Sequence, residues 1–356
     1  MDFGLTEEQT ELAGLTRKIL AERDAPWGDL AAAGVLAAGL PVSLGGAGLG
    51  LLEQCSVLIE LGRAACDVPY LASVVLGAGA LASFGTAAQL QRWAAPAGQG
   101  TVVLTAALAE EDGDDPRVPT ARAERAGGQW VLTGLKTAVD AAPEADLFLV
   151  PCTSSAGVLV FLVEPSDAGV DVEPQQLTDF GSAGRVVLSG VTLGDDRVLA
   201  GNGQGVGVAD WLVARATVGL CAVQSGVIER ALELTAEYAK SRVAFGRPIG
   251  SFQAVTQRLA DAFVDVEAVR LTMWQAAWRL ASGSAAAAEV ATAKFWAAEA
   301  GHRVAHTAVH VHGGMGIDVT YPVHRYFVAA KRHEFALGGA TAQLLRIGAT
   351  LAGPDG

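Results

Sequence analysis

The sequence predicts an α+β protein in which an N-terminal helical domain, a middle antiparallel β-barrel domain and a C-terminal four-helix bundle follow one another. Two patterns predict this order: apolar residues recur at helical spacing at both ends of the chain, and short β-rich runs fill the middle. A length of 356 residues with 51% hydrophobic composition is enough for two or three structural units with a large core. The predicted domains are residues 1–100, 101–203 and 204–356.

The N-terminal region is rich in Ala and Leu at helical spacing, and it is interrupted at Pro26, Pro41 and residues 45–50. We therefore expect several short helices. The glycine run at residues 45–50 follows no strand and lacks the Gly-Lys-Ser/Thr ending of a phosphate-binding loop. It is interpreted as a loop between helices.

The middle region alternates β-rich runs with clusters of Gly, Asp and Pro, which is typical of a small antiparallel barrel or sandwich. The helical period returns after a Gly-rich linker at residues 201–205 and persists to the end, which predicts a packed bundle of four helices. The predicted strands are residues 102–108, 129–133, 147–150, 158–163 and 186–188, and the predicted helices are residues 211–243, 252–281, 285–311 and 324–351.

Composition narrows the classes of function. A net charge of -13 without any Lys/Arg run argues against nucleic-acid binding. Four scattered cysteines without C-x-x-C spacing predict buried free thiols rather than a zinc site or a disulfide framework. The acidic N-terminus is unlike a signal peptide, and charged residues and glycines interrupt every apolar run of about 18 residues. A cytoplasmic protein is expected.

Three histidines, His302, His306 and His310, recur every four residues and share one face of a predicted helix. Histidines at this spacing suggest metal ligands. However, His302 and His310 would lie about 12 Å apart at the helical rise, which is poor geometry for tetrahedral zinc. No metal site is predicted.

Two patterns near the C-terminus carry a family resemblance. Residues 242–253 contain R-x-x-F-G-x-x-x-x-x-F-Q, and residues 310–316 match Q-x-x-G-G-x-G except that His310 replaces the Gln. With the three regions in this order, the chain resembles the acyl-CoA dehydrogenase family over nearly its whole length. The resemblance implies desaturation of an acyl-CoA thioester, which needs a base for the α-proton and FAD as hydride acceptor.

The resemblance also implies which residues meet the FAD, a cofactor that the family shares between neighbouring subunits. Arg242 and Gln253 would reach its phosphates, and Phe245 would pack on the adenine side. Taken singly, Arg242 could equally be a cation at a helix C-terminus and Phe245 a core residue. The predicted cofactor-binding residues are Arg242, Phe245, Gln253, His310, Gly313 and Gly314.

The segments that correspond to the family's flavin-ring contacts are altered. By resemblance they lie at residues 109–115 and 134–140, where Ala109, Asp115, Ala138 and Asp140 replace the hydroxyls and the indole that hold the ring. Added carboxylates would repel a cofactor that already carries phosphates. The flavin pocket of this chain is therefore predicted to be eroded.

The family's catalytic glutamate is also absent. By resemblance its usual position falls at Gly338, and the position used by a minority of members falls at Arg215 or Ala216. Neither position carries a carboxylate. No catalytic residue is therefore assigned to this chain.

Three other carboxylates are candidates for the catalytic base. Glu229 and Glu233 lie on the same predicted helix as Arg215 but three or more turns away, roughly 20 Å or more along its axis, which is too far for direct proton abstraction. Glu334 lies closer to the Gly338 turn and is interpreted as a solvated helix residue. None of the three is assigned the role.

The chain keeps the residues for the adenine end of FAD but lacks those for the flavin ring. In this it resembles the non-catalytic subunit of the α2β2 acyl-CoA dehydrogenases that degrade steroid side chains. The resemblance implies a paralogous catalytic partner, a steroid-CoA substrate and electron transfer to an electron-transfer flavoprotein. Two alternatives stay open. One is a self-sufficient homotetrameric dehydrogenase with Glu334 or Asp140 as base, and the other is a flavin-free relative that binds acyl-CoA.

Overall fold

A computed structural model describes residues 4–22, 26–113, 115–179, 181–200 and 204–353. Its N-terminal part consists of short helices, as predicted, and residues 45–50 form a loop. A capping box starts one of these helices, because Thr86 and Gln89 each bond the other's backbone N–H through the side chain. The helices are α1 (Glu7–Glu22), α2 (Trp27–Ala32), α3 (Leu51–Ala64), a π-helical segment Tyr70–Ala78 that continues into α4 (Gly79–Phe84), α5 (Ala87–Gln89), a second π-helical segment Leu90–Ala94, and α6 (Ala95–Gly98).

The middle part is one eight-stranded sheet, ordered β6-β7-β3-β2-β4-β5-β8, with β1 added beside β4. Its buried face packs Trp130 edge-on against Phe161, with ring centroids 5.7 Å apart. The strands are β1 (Leu104–Ala106), β2 (Arg122–Ala126), β3 (Gln129–Asp140), β4 (Leu147–Ser154), β5 (Gly157–Val163), β6 (Val170–Gln176), β7 (Ser182–Leu193) and β8 (Val198–Leu199).

Two features of this sheet correct the prediction. β1 and β2 pair with β4 in parallel, so the sheet is mixed rather than wholly antiparallel. The chain between residues 106 and 147 is long enough to return β4 alongside β1 in the same direction, as a parallel pair requires. The sequence did not predict β2 and β6, because both strands are largely exposed and polar. It did not predict β8, because that strand has only two residues.

The C-terminal part is helical. The predicted single helix over residues 324–351 is wrong, because Leu337 and Gly338 have φ values of 59° and 92° and break it into two helices. This backbone conformation cannot continue a right-handed helix. The elements are α7 (Gly205–Ser241), the two-residue strands β9 (Val243–Ala244) and β10 (Arg247–Pro248), α8 (Gln253–Ala281), α9 (Ala287–His312), α10 (Pro322–Phe335) and α11 (Ala340–Ala352). Most of the predicted linker at residues 201–205 lies outside the described residues.

In the described part of the chain, one helix, α7, is long and apolar enough to cross a membrane, which the sequence did not predict. Its most apolar window is 61% buried inside the protein. Core helices of globular proteins share this length and composition, since a helix that is apolar all round is usually an interior one.

Contacts between Cα atoms divide the chain into two compact units. One unit contains Met1–Glu22, Cys55–Cys66 and Thr217–Gly356, and the other contains Arg23–Gln54 and Asp67–Ala216. The three predicted domains do not coincide with these two units, and their boundaries stay predictions.

Within the first unit, α3 and α7 cross at two glycines. A Cβ atom at Gly226 would lie 2.0 Å from the carbonyl oxygen of Ile59, and one at Gly62 would lie 2.0 Å from that of Val223. Only glycine permits such a close approach of two helix backbones.

Substitution of Gly226 by alanine is expected to lower the free energy of unfolding by about 1–3 kcal/mol, because one helix must move away from the other. Gly207→Ala is the matched control, since a Cβ at Gly207 in the same helix meets nothing within 4 Å. Urea denaturation should show a loss for Gly226→Ala and none for Gly207→Ala. Equal midpoints for the two variants would contradict the packing argument.

Candidate functional site

A tight hairpin follows α7 and carries two of the predicted cofactor-binding residues. Strands β9 and β10 pair across a turn in which Phe245 and Gly246 have φ values of 52° and 79°. Two consecutive positive φ values are the geometry of a two-residue hairpin turn, which is unusual for an aromatic residue. The Phe245 side chain is 97% exposed. The hairpin therefore holds a strained aromatic residue out in solvent, where it contributes nothing to the core.

Arg242 lies at the base of this hairpin with its backbone fixed. Its N–H donates to the carbonyl of Tyr238 at 2.8 Å, and its own carbonyl accepts from Ile249 N at 2.8 Å. Its side chain is exposed and has no carboxylate partner among the described residues. The guanidinium is therefore available to an anion. Gln253, the first residue of α8, is exposed as well.

A cavity of about 240 Å³ brings Phe245 together with His310 of α9. Its walls are mostly apolar, and Arg258 of α8 adds a cation that has no carboxylate partner in the described part of the chain. Arg258 was not predicted, because one Arg on an exposed helix face carries no sequence signal. The cavity is lined by Ala244, Phe245, Ile249, Phe252, Ala254, Val255, Arg258, His310 and Val311.

The glycines after α9 have different structural roles. Gly313 ends the helix with φ 63° and ψ −141°, a conformation open only to glycine. A Cβ at Gly316 would lie 2.8 Å from the Cα of Val309, so Gly316 is required for packing. At Gly314, in contrast, a Cβ would meet nothing within 4 Å. The space beside Gly314 is open to another molecule.

The two altered flavin-ring segments are joined by a buried ion pair. Lys136 Nζ lies 2.6 Å from Glu110 Oε1, with the two side chains 0% and 3% exposed. Lys136 also donates to the carbonyl of Pro151 at 2.8 Å, and Glu110 accepts from the backbone N–H groups of Thr120 and Ala121. Burial raises the pKa of Glu110, but Lys136 and these N–H donors outweigh it, so the pKa is lowered.

The position where the family has its indole is closed within this chain. Ala138 has φ 47° and lies in an irregular stretch of β3. Its N–H donates to Gln175 Oε1 at 2.7 Å, and the Gln175 amide also bonds the hydroxyl of Thr137 at 3.1 Å. The donors that β3 offers here are therefore already bonded to β6.

The predicted electrostatic repulsion of FAD is only partly supported. Asp115 forms a two-point ion pair with Arg117, with the closer contact at 2.8 Å, so much of its charge is compensated. Glu110 is compensated by Lys136. Asp140 is exposed, and Asp114 lies outside the described residues. The prediction of an eroded pocket therefore rests on the changed contact groups more than on added charge.

Neither base position holds a group that could take a proton from carbon. Gly338 lies in the turn between α10 and α11, and Gln343 Nε2 donates to its carbonyl at 3.0 Å. The Arg215 guanidinium lies 3.9 Å from the centroid of the Trp211 ring, and burial lowers its pKa to about 10. A group that is still cationic at neutral pH cannot replace a carboxylate base.

The other carboxylates near these helices are engaged in ion pairs. Glu229 and Glu233 lie 2.9 and 2.8 Å from the guanidinium of Arg63. Glu334 is only 14% exposed, so its interpretation as a solvated residue was wrong; it lies 3.2 Å from His302 Nδ1 and bonds Lys331. Burial raises the pKa of Glu233, but its bonds to Arg230 and Arg63 outweigh burial and lower the pKa, which makes this carboxylate a weak base.

The histidine row on α9 has structural contacts. His302 and His306 stack with ring centroids 4.3 Å apart, and His306 packs edge-on against Phe327, whereas His310 lines the cavity. None of the four cysteines forms a disulfide; Cys55, Cys152 and Cys221 are buried as predicted, whereas Cys66 is half-buried. Burial raises the pKa of Cys152 and Cys221 to about 12.

Known proteins of similar sequence match this chain along its three parts. Residues 6–101, 105–191 and 203–352 match the N-terminal, middle and C-terminal domains of acyl-CoA dehydrogenases. The chain is 48% identical to acyl-CoA dehydrogenase FadE27 of Mycobacterium tuberculosis, over 99% of each chain.

Two solved structures are similar over nearly the whole chain. A chain of the ChsE4-ChsE5 complex from Mycobacterium tuberculosis matches with a TM-score of 0.93 and 48% identity, over 100% of both chains. A chain of the Tcur3481-Tcur3483 steroid ACAD G363A variant matches with a TM-score of 0.90 and 38% identity, over 97% of this chain and 98% of that one. The protein described here belongs to the acyl-CoA dehydrogenase family.

Proposed function

We propose that this chain is the non-catalytic subunit of an FAD-dependent acyl-CoA dehydrogenase and completes the FAD site of a paralogous catalytic partner. The observation that carries the proposal is a contrast between two places in the chain. The adenine-end residues are exposed and Arg242 has no carboxylate partner among the described residues, whereas the ring segments and both base positions lack the groups that the reaction needs.

The fit of the adenine end to FAD rests on shape and charge. The 240 Å³ cavity offers apolar and aromatic walls to a planar base, and His310 and Arg258 add polar groups at its edge. Arg242 offers a guanidinium without a carboxylate partner among the described residues, which suits a pyrophosphate. The open space beside Gly314 lets a ligand approach the backbone.

The chemistry of the reaction assigns the remaining groups to the partner. When bound, FAD accepts the hydride, and a carboxylate must take the α-proton. This chain has Gly338 and Arg215 where that carboxylate is expected, and Gln175 already bonds the Ala138 N–H in the ring segment. The chain thus contributes binding and orientation of the adenine end, and the partner contributes the ring pocket and the base.

Exposed apolar side chains support assembly with another subunit. Phe245 is 97% exposed, and Ile317 and Val319 beyond the glycine turn are 64% and 69% exposed. Leu345 on α11 is 71% exposed. Exposed large apolar residues mark interaction sites when they form patches. We propose an α2β2 assembly on this basis.

The substrate is proposed from similarity. The Tcur3481-Tcur3483 protein is described as a steroid ACAD, and this chain is 38% identical to one of its chains. We therefore propose a steroid-CoA thioester as substrate and electron-transfer flavoprotein as the electron acceptor.

FAD stoichiometry tests the proposal. The chain purified alone should carry little flavin by visible absorbance, and its complex with a catalytic paralogue should carry about one FAD per pair of subunits. Activity should require the partner's glutamate and should survive Glu334→Gln and Asp140→Asn in this chain. One flavin per isolated chain with turnover would instead support the homotetramer, and a colourless complex would support a flavin-free acyl-CoA-binding protein.

A further inference from the structure

Three aromatic side chains form a stack beneath the adenine-end elements. His312, the last residue of α9, is 4% exposed. Its ring stacks on that of Tyr238, with ring centroids 4.3 Å apart and planes at 26°. The ring of Tyr321 is tilted against it, with centroids 5.4 Å apart and planes at 58°. We call Tyr238, His312 and Tyr321 the aromatic stack.

Each member of the aromatic stack belongs to a different segment. Tyr238 lies one turn before Arg242, and its carbonyl accepts the Arg242 N–H at 2.8 Å. His312 directly precedes Gly313 in the chain. Tyr321 precedes α10 and packs against the buried cluster around Val323 and Tyr326. The stack therefore joins the Arg242 hairpin and the glycine turn to one part of the core.

The hydrogen bonds of His312 fix its neutral form. Nδ1 lies 2.8 Å from the carbonyl oxygen of Ala308, which can only accept, so Nδ1 carries the proton. Nε2 is buried and has no hydrogen-bond partner among the described residues. A second proton on Nε2 would place an N–H group where no acceptor is available.

We propose that the aromatic stack positions the two FAD-binding elements relative to each other, which makes His312 a positioning residue of the shared site. The inference rests on the proposed function, because it assumes that Arg242 and the glycine turn meet the same FAD. Two elements held at a fixed separation bind one ligand without first being ordered, and this preorganisation favours affinity.

The direct test is FAD affinity of the complex with the catalytic partner, measured by quenching of flavin fluorescence. We expect His312→Leu to raise the Kd for FAD by up to about tenfold, since losing aromatic contacts costs at most about 1.5 kcal/mol and 1.4 kcal/mol is tenfold. His312→Phe retains an aromatic ring and should raise Kd by no more than about threefold. His306→Leu is the matched control on the same helix, outside the aromatic stack, and should leave Kd unchanged.

The pH dependence gives a second readout. Burial lowers the pKa of His312, and the bond to Ala308 opposes this only in part. The titratable groups that face the ring are Tyr238 and Tyr321. Because the folded pKa lies below the unfolded value of about 6.5, the stacked form is favoured above that pH and is lost as pH falls through the folded pKa. The wild-type complex should lose FAD affinity over that range, and His312→Phe should lose less.

The outcomes separate a positioning role from a structural one. If His312→Leu lowers the melting temperature but leaves Kd for FAD unchanged, the inference is wrong. If His312→Leu fails to fold, His312→Phe and its pH profile decide, and a profile identical to wild type would overturn the inference. The proposed function fails separately: if the complex with the partner carries no FAD, there is no shared FAD site, whatever the His312 variants show.

Discussion

Replacement of Arg242 by alanine is expected to weaken FAD binding by the assembled complex by about 10- to 100-fold. A hydrogen bond to a charged group contributes about 1.5–3 kcal/mol, and each 1.4 kcal/mol is a factor of ten in Kd. The Arg242 side chain is exposed and has no carboxylate partner among the described residues, so its removal should cost binding rather than stability. The measurement is an FAD titration of the complex at fixed salt concentration.

Lys240 supplies the matched control for this prediction. It is an exposed cation two residues earlier in α7, so Lys240→Ala removes the same charge from nearly the same place. If the effect is local to a phosphate contact, only Arg242→Ala should raise Kd. Similar Kd values for the two variants would reduce the role of Arg242 to general electrostatic attraction, and unchanged values for both would remove it from the site.

The sequence predicted those parts of the fold that depend on local periodicity. The predicted ends of helices α7, α8 and α9 mostly lie within a few residues of the observed ends, because apolar residues recur at helical spacing in these helices. The break between α10 and α11 was missed although Gly338 and Gly339 mark it, because apolar residues on both sides keep the helical period. In the sheet, strands β2 and β6 were missed because polar side chains dominate them.

The site was predictable only where it follows a contiguous pattern. Residues 242–253 and 310–316 were recognised from their spacing, and the cavity does bring Phe245 beside His310. The contribution of Arg258 depends on how α8 packs beside α9, and the bond from Ala138 to Gln175 depends on the pairing of strands that are distant in sequence. Single sequence positions carry no signal for such contacts.

The altered ring segments retain two charged residues for a structural reason. The family patterns for these two segments are T-E-P-x-x-G-S and G-x-K-x-W-x-T, and each has one fixed charged residue. Both charged residues are present here, as Glu110 and Lys136, whereas the contact residues beside them have changed. The structure pairs them in the interior of the sheet domain, bonded to Thr120, Ala121 and Pro151. Each of the two charges requires the other whether or not a flavin binds, because either one alone would be buried without a partner.

Lys136→Met should therefore lower the free energy of unfolding by about 3–5 kcal/mol, the usual cost of leaving one buried charge without its partner. The double variant Lys136→Met/Glu110→Gln should lose less, because no net charge then remains buried. Lys240→Met, on the exposed surface of α7, is the control and should change stability by less than about 0.5 kcal/mol.

Denaturation as a function of pH distinguishes this explanation from simple loss of packing. The pKa of Glu110 is lowered in the folded protein, so the pair contributes its full stability above the unfolded pKa of about 4.3 and loses it as pH falls through the folded value. In Lys136→Met the lone buried carboxyl should titrate at a higher pH, so the deficit relative to wild type should shrink as the pH is lowered towards 4. A deficit that is constant with pH would mean that Lys136 acts through its packed methylene chain rather than through its charge.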